Sequence, residues 1–137
     1  MKIIELKKVP KNKIGKLNKN GVKLESHEEN TAELLTLYGF NIEVIRPGNT
    51  PKTKNPDFLI NGAIWETKSP MTSNKKTLKK RMHEASEQAG RIIVDLRRVK
   101  SASQIAEKEI IKRFISKRTL RNMILIKSDD LVLEYRK

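Results

Sequence analysis

The stretch DFLINGAIWETK, Asp57 to Lys68, sets two apolar runs on either side of Asn61-Gly62. Both central residues of a type I′ turn need φ > 0, which Asn and Gly adopt at little cost, so the segment reads as a β-hairpin with a two-residue loop. The loop length fixes the register. Ile60 opposes Ala63, and Asp57 falls opposite Glu66. Side chains alternate along a strand. Ile64, Glu66 and Lys68 therefore share one face, and Ala63, Trp65 and Thr67 take the other. Opposed residues have Cβ atoms about 4.5–5.5 Å apart. Two carboxylates that close repel unless a cation sits between them. A hard ion such as Mg²⁺ takes one or two protein carboxylates and completes its shell with water and phosphate oxygens. Asp57 and Glu66 are thus candidate ligands for Mg²⁺ or Mn²⁺. Lys68 is a candidate to support an attacking water and a phosphate carrying extra charge. The plainer alternative is an exposed hairpin end whose lysine balances two acids.

The rest of the chain supplies flanking elements. Ser26 and Glu29 have the spacing of a capping box, and Ala32, Leu34, Leu35 and Leu37 make an apolar stripe, so a helix is expected over 28–38, stopped by Gly39. Phe40–Ile45 alternates as a strand, and the proline-rich run Arg46–Pro56 reads as a loop. A helix is expected over 75–89, a buried strand over 91–96, a helix over 102–116, and closing strands over 123–126 and 131–135. The order α-β-β-β-α-β-α-β-β predicts an α/β domain with a mixed central sheet flanked by helices. Residues 25–137 read as one domain, preceded by a basic arm over 1–24 that holds eight lysines and one acid, Glu5.

Charge narrows the partner. Lys and Arg number 30 against 16 Asp and Glu, a formal net charge of +14, which points to a polyanion. The exposed helix run Lys75, Lys76, Lys79, Lys80 and Arg81 is a candidate phosphate-binding surface, with Gln88 a candidate contact to substrate or metal-bound water. Aromatic residues are only 4% of the chain, which argues against a base-stacking platform and for phosphate and shape contacts. No cysteine is present, so disulfides and thiolate metal sites are excluded. GNTPKTK lacks the spacing of a phosphate-cradling P-loop. No run approaches the roughly 20 apolar residues of a membrane span, and no secretory signal pattern opens the chain. The expectation is a soluble cytoplasmic protein with no membrane partner. His27 and His83 form no metal motif and read as surface residues, and Trp65 reads as core.

Pro56-Asp57 followed by Glu66-Thr67-Lys68 resembles the PD-(D/E)xK nuclease superfamily. That resemblance implies a restriction-endonuclease-like sheet, divalent-metal catalysis by Asp57, Glu66 and Lys68, and a further acid on the preceding helix, here Glu29 with Glu28 as the alternative. More narrowly, Glu29-Asn30-x-Ala32-x-x-Leu35, Gly39, Lys54-x-Pro56-Asp57, Asn61-Gly62, WETKSP, Gln88-Ala89 and RIIVDL resemble the C-terminal tRNase domain of bacterial contact-dependent growth-inhibition toxins, over about residues 26–100. Related stand-alone proteins are carried on bacterial mobile elements. The narrower resemblance implies RNA, specifically tRNA, as substrate. It also implies an acidic immunity protein as partner and delivery into a target-cell cytoplasm. Glu66 and Lys68 follow the general superfamily pattern more closely than the toxin variant, where an Asp and a non-lysine are associated with these places. DNA therefore stays open as the substrate, as does a non-catalytic basic nucleic-acid-binding module.

Overall fold

The computed structural model describes residues 1–45 and 57–137. The loop expected over Arg46–Pro56, including the proline of the Pro-Asp pair, lies outside the described residues. The chain resolves into two compact units, one of Lys7–Thr67 and one of Met1–Leu6 with Lys68–Lys137.

The Lys7–Thr67 unit opens with a short 3-10 turn, Lys11–Lys13, and continues through β2 (Leu17–Asn18), α1 (Ser26–Thr36), β3 (Ile42–Ile45), β4 (Asp57–Ile60) and β5 (Ala63–Lys68, whose last residue falls in the other unit). Its strands run in the order β5-β4-β3-β2. The β2–β3 pair is parallel, with α1 as its crossover, and β3–β4 and β4–β5 are antiparallel. Ile42, Val44, Phe58, Ile60 and Trp65 share the buried face, and Ala32 and Leu35 of α1 complete the apolar interior. The backbone crowds where the chain returns from α1. The Gly15 N–H donates to the Thr36 carbonyl at 2.8 Å, and a Cβ on Gly15 would collide with the Phe40 carbonyl.

The second unit holds β1 (Lys2–Glu5), α2 (Lys75–Gln88), β6 (Arg91–Asp95), α3 (Ser103–Ser116), β7 (Asn122–Ile126) and β8 (Val132–Arg136). Its strands run β1-β8-β7-β6. Here β6–β7 is parallel across α3, and β7–β8 and β8–β1 are antiparallel. Leu78, Met82 and Ala85 of α2 and Ala106, Ile110 and Phe114 of α3 pack with Ile92, Val94, Met123, Leu125 and Tyr135 into one apolar cluster. Phe114 meets Tyr135 edge to face, with centroids 6.1 Å apart. The Lys137 ammonium sits 4.5 Å from the Phe114 ring centroid and donates to the Phe114 and Lys117 carbonyls at the end of α3. Burial, and then Arg121 nearby, lower the pKa of that ammonium.

The mixed α/β class is as expected, and so is the element order from α1 onward. Two readings are corrected. The capping box sits one residue earlier than expected: Glu25 is the N-cap, its N–H donates to Glu28 Oε1 at 2.9 Å, and Ser26 begins the helix. The first 24 residues are not a free arm. They give β1 to one unit and β2 to the other, and residue 24 bounds neither.

Candidate active site

The Asn61-Gly62 turn forms as its sequence demands, with φ of +51° at Asn61 and +80° at Gly62. The ladder pairs Ile60 with Ala63, Leu59 with Ile64 and Phe58 with Trp65. Continued by one residue, it sets Asp57 opposite Glu66, both on the strand face opposite Phe58 and Trp65. Glu66 is only 2% exposed. Asp57 Oδ1 is buried and has no hydrogen-bond partner among the described residues. A buried carboxylate oxygen left without a donor costs of order 1–3 kcal/mol, so its placement needs a reason. A hard cation facing Asp57 and Glu66 would supply one. Two carboxylates with room for water suit Mg²⁺ or Mn²⁺. Among the described residues, no three Asp, Glu or His side chains gather as a metal-holding group, so Glu29 does not join the pair in such a set.

The two acids of the first turn of α1 have separate positions. Glu28 is buried and holds the capping box. Glu29 is about one-third exposed and forms an ion pair with Lys19. His27 lies 3.5 Å from Glu25, and His83 contacts Glu87 at 2.6 Å and Lys117 at 2.9 Å. Neither approaches a metal-ligand set. Trp65 is core, as expected.

Lys68 ends β5, two residues beyond Glu66. Its side chain is 11% exposed, and its Nζ lies 3.9 Å from Glu84 Oε2. Arg81 Nη1 reaches the same oxygen at 3.5 Å. The sequence reading missed Glu84. Its signal was that it is the first acid after the basic run of α2, three residues beyond Arg81, where a helix brings the two together. Lys75, Lys76, Lys79, Lys80 and Arg81 are all exposed, as is Gln88 at the helix end. The basic patch after β6 has structural work instead. Arg97 grips the buried Asp95 with two nitrogens, at 2.8–3.2 Å. Arg98 Nη1 donates to the Ser69 carbonyl at 3.1 Å, which ties down the segment after β5.

The family of contact-dependent growth inhibition CdiA C-terminal domains matches residues 54–132. The chain belongs to this family. It is therefore a toxin domain of contact-dependent growth inhibition. The match starts later than the expected span of 26–100 and runs on into β8. It includes Asp57, Glu66, Lys68 and all of α2, and leaves out α1 with Glu29. No curated protein matches the chain. Among solved structures, the fold is similar to a CdiA-CT/CdiI toxin and immunity complex from Burkholderia pseudomallei, with a TM-score of 0.67 and 20% identity, over 90% of this chain and all of the other. That similarity concerns the fold. No described helix of this CdiA C-terminal domain is long and apolar enough to cross a membrane.

Proposed function

We propose that this toxin domain is a metal-dependent nuclease of the PD-(D/E)xK type, acting on RNA and specifically on tRNA. The carrying observation is the buried Asp57 Oδ1, without a hydrogen-bond partner among the described residues, at the register position facing the buried Glu66. Asp57 and Glu66 would hold Mg²⁺ or Mn²⁺, which when bound supplies Lewis acidity to the scissile phosphate and acidifies a water. Lys68 stabilises charge that develops on the phosphate and orients the water. Its low exposure keeps the ammonium in a medium where that interaction is strong. Glu28 is committed to the helix cap and Glu29 pairs with Lys19, so Glu29 assists only by releasing that lysine. Lys75, Lys76, Lys79, Lys80 and Arg81 contact the substrate backbone, and Gln88 contacts substrate or metal-bound water. A net charge of +14 suits both a polyanionic substrate and an acidic immunity protein; the structural relative is itself a toxin and immunity complex. Delivery into a target-cell cytoplasm is the setting that family membership supports.

Incubating the protein with total tRNA and, separately, with plasmid DNA in Mg²⁺, Mn²⁺ or EDTA tests the reading. The expected result is cleavage of tRNA that EDTA abolishes. Cutting of plasmid DNA alone would move the substrate to DNA within the same chemistry. Cutting that persists in EDTA would remove the metal from it.

A further inference from the structure

The segment between Leu6 and Leu24 carries seven lysines and no acid. In the Lys7–Thr67 unit it is fixed rather than free. The Val9 N–H donates to the Leu37 carbonyl at 3.0 Å and the Lys16 N–H to Asn41 Oδ1 at 2.9 Å. The Ile42 N–H returns to the Lys16 carbonyl at 2.8 Å. Lys7, Lys8, Lys11, Lys13, Lys16, Lys19 and Lys23 all stay exposed on this scaffold, and Lys19 pairs with Glu29.

Beside it lies an open depression of about 560 Å³, lined by Lys16, Asn18, Asn41, Glu43, Leu59 and Asn61 among others. Asn18, Glu43, Leu59 and Ile64 form one cross-strand row on the face that also carries Asp57 and Glu66. The polar lining is biased. Asn18 Oδ1 accepts from the Asn20 N–H at 3.0 Å, and Asn41 Oδ1 from the Lys16 N–H. Each amide oxygen takes a backbone N–H, which assigns the amide's other arm as an NH₂ donor. With Lys16 these are donors, Glu43 is the one acid, and Leu59 gives an apolar floor.

We propose that the fixed lysine segment and this depression form a second nucleic-acid contact of the domain. The lysines take backbone phosphates. The depression admits a base, whose acceptors meet the Asn18 and Asn41 amides, while Glu43 turns phosphate away and accepts from an exocyclic amine. The nuclease reading supplies only the identity of the ligand. The absence of acids between residues 6 and 24 is what favours a polyanion.

The test uses the full chain carrying Glu66→Gln, so that RNA stays intact, and measures binding of total tRNA across a salt series in EDTA. The Lys11→Gln, Lys13→Gln, Lys16→Gln triple variant is compared with it. These side chains are exposed, and the main chain makes the hydrogen bonds that hold the segment, so the fold is expected to survive. Each lost phosphate contact lowers the slope of log affinity against log salt by about 0.7–0.9. Three lost contacts therefore make it shallower by about 2 and weaken binding roughly 100-fold at 0.1 M salt. Asn18→Asp keeps the acceptor for Asn20 and removes the donor, and should weaken binding roughly tenfold. An unchanged slope and affinity in the triple variant overturns the proposal, as does a loss confined to binding of an acidic protein partner. If the slope falls while the wild type cuts no nucleic acid, the second contact stands and the nuclease reading fails. If the wild type cuts and the slope is unchanged, the reverse holds.

Discussion

The two units share one strand plan and differ in what they bury. In each, a parallel pair straddles a helix, β2-α1-β3 in one and β6-α3-β7 in the other, and two antiparallel pairs follow, β3–β4–β5 and β7–β8–β1. The second unit has five-residue strands at β6, β7 and β8 and one large apolar cluster. Its buried acids carry basic partners within the unit: Asp95 with Arg97, Glu109 with Arg113 at 2.7 Å, and Glu134 with Arg136. The Lys7–Thr67 unit has strands of two to six residues and a smaller interior, and among the described residues its buried Asp57 Oδ1 has no hydrogen-bond partner. One half spends its polar groups on closing its own fold. In the other, one buried carboxylate oxygen finds no donor among the described residues.

That contrast can be broken at either end. Phe114→Ala should have the largest effect, about 3–5 kcal/mol of stability, because Phe114 is fully buried against Tyr135 and Lys137. Urea unfolding measures it, and a loss under about 1 kcal/mol would mean that this cluster does not anchor the unit. Arg97→Met leaves the Asp95 charge buried without its bidentate partner and should cost about 3 kcal/mol, the low end for a broken buried pair because Arg97 is a quarter exposed. Asp57→Asn should do the opposite. In EDTA it should raise stability by about 1 kcal/mol, a few degrees in Tm, by relieving repulsion with Glu66. A lower Tm would mean that Asp57 is part of the structure rather than of a site.

The smallest effect is alkaline. Burial, and secondarily Glu107, raise the Tyr135 pKa above its ordinary 10.0. The folded state then resists an ionisation that the unfolded state undergoes. The stability is fully present below pH 10.0 and lost as pH rises through the raised value. Lys137, lowered by burial and Arg121, works in the opposite sense. Tyr135→Phe should remove only the tyrosine part, read as a flatter fall of Tm above pH 10.0. An unchanged alkaline slope would sink that assignment.

Much of this was legible where the physics is local. The Asn61-Gly62 turn fixed the register by backbone sterics alone, so the facing positions of Asp57 and Glu66 could be read from the chain. The helices expected over 75–89 and 102–116 form as Lys75–Gln88 and Ser103–Ser116. What failed was non-local or degenerate. β1 is a mostly exposed KIIE that becomes a strand by pairing Lys2 with Arg136, at the far end of the chain. β2 is only two residues long and carries no pattern. Glu25-x-x-Glu28 and Ser26-x-x-Glu29 offer overlapping capping frames. Serine is the better cap residue by preference, yet the Glu25 frame formed, and with it the roles of Glu28 and Glu29 separated. For Glu84 only the spacing from Arg81 is local; its contact with Lys68 joins positions sixteen apart in sequence. The shared strand plan of the two units leaves no sequence repeat to detect.

The proposed metal site of Asp57 and Glu66 can be tested through its chemistry. Its most direct test is cleavage of total tRNA in Mg²⁺ by the wild type and by Glu66→Gln, with circular dichroism to show that both are folded. The wild type should cut, and Glu66→Gln, equally folded, should lose at least about 100-fold in rate. A folded Glu66→Gln that cuts at the wild-type rate would contradict it.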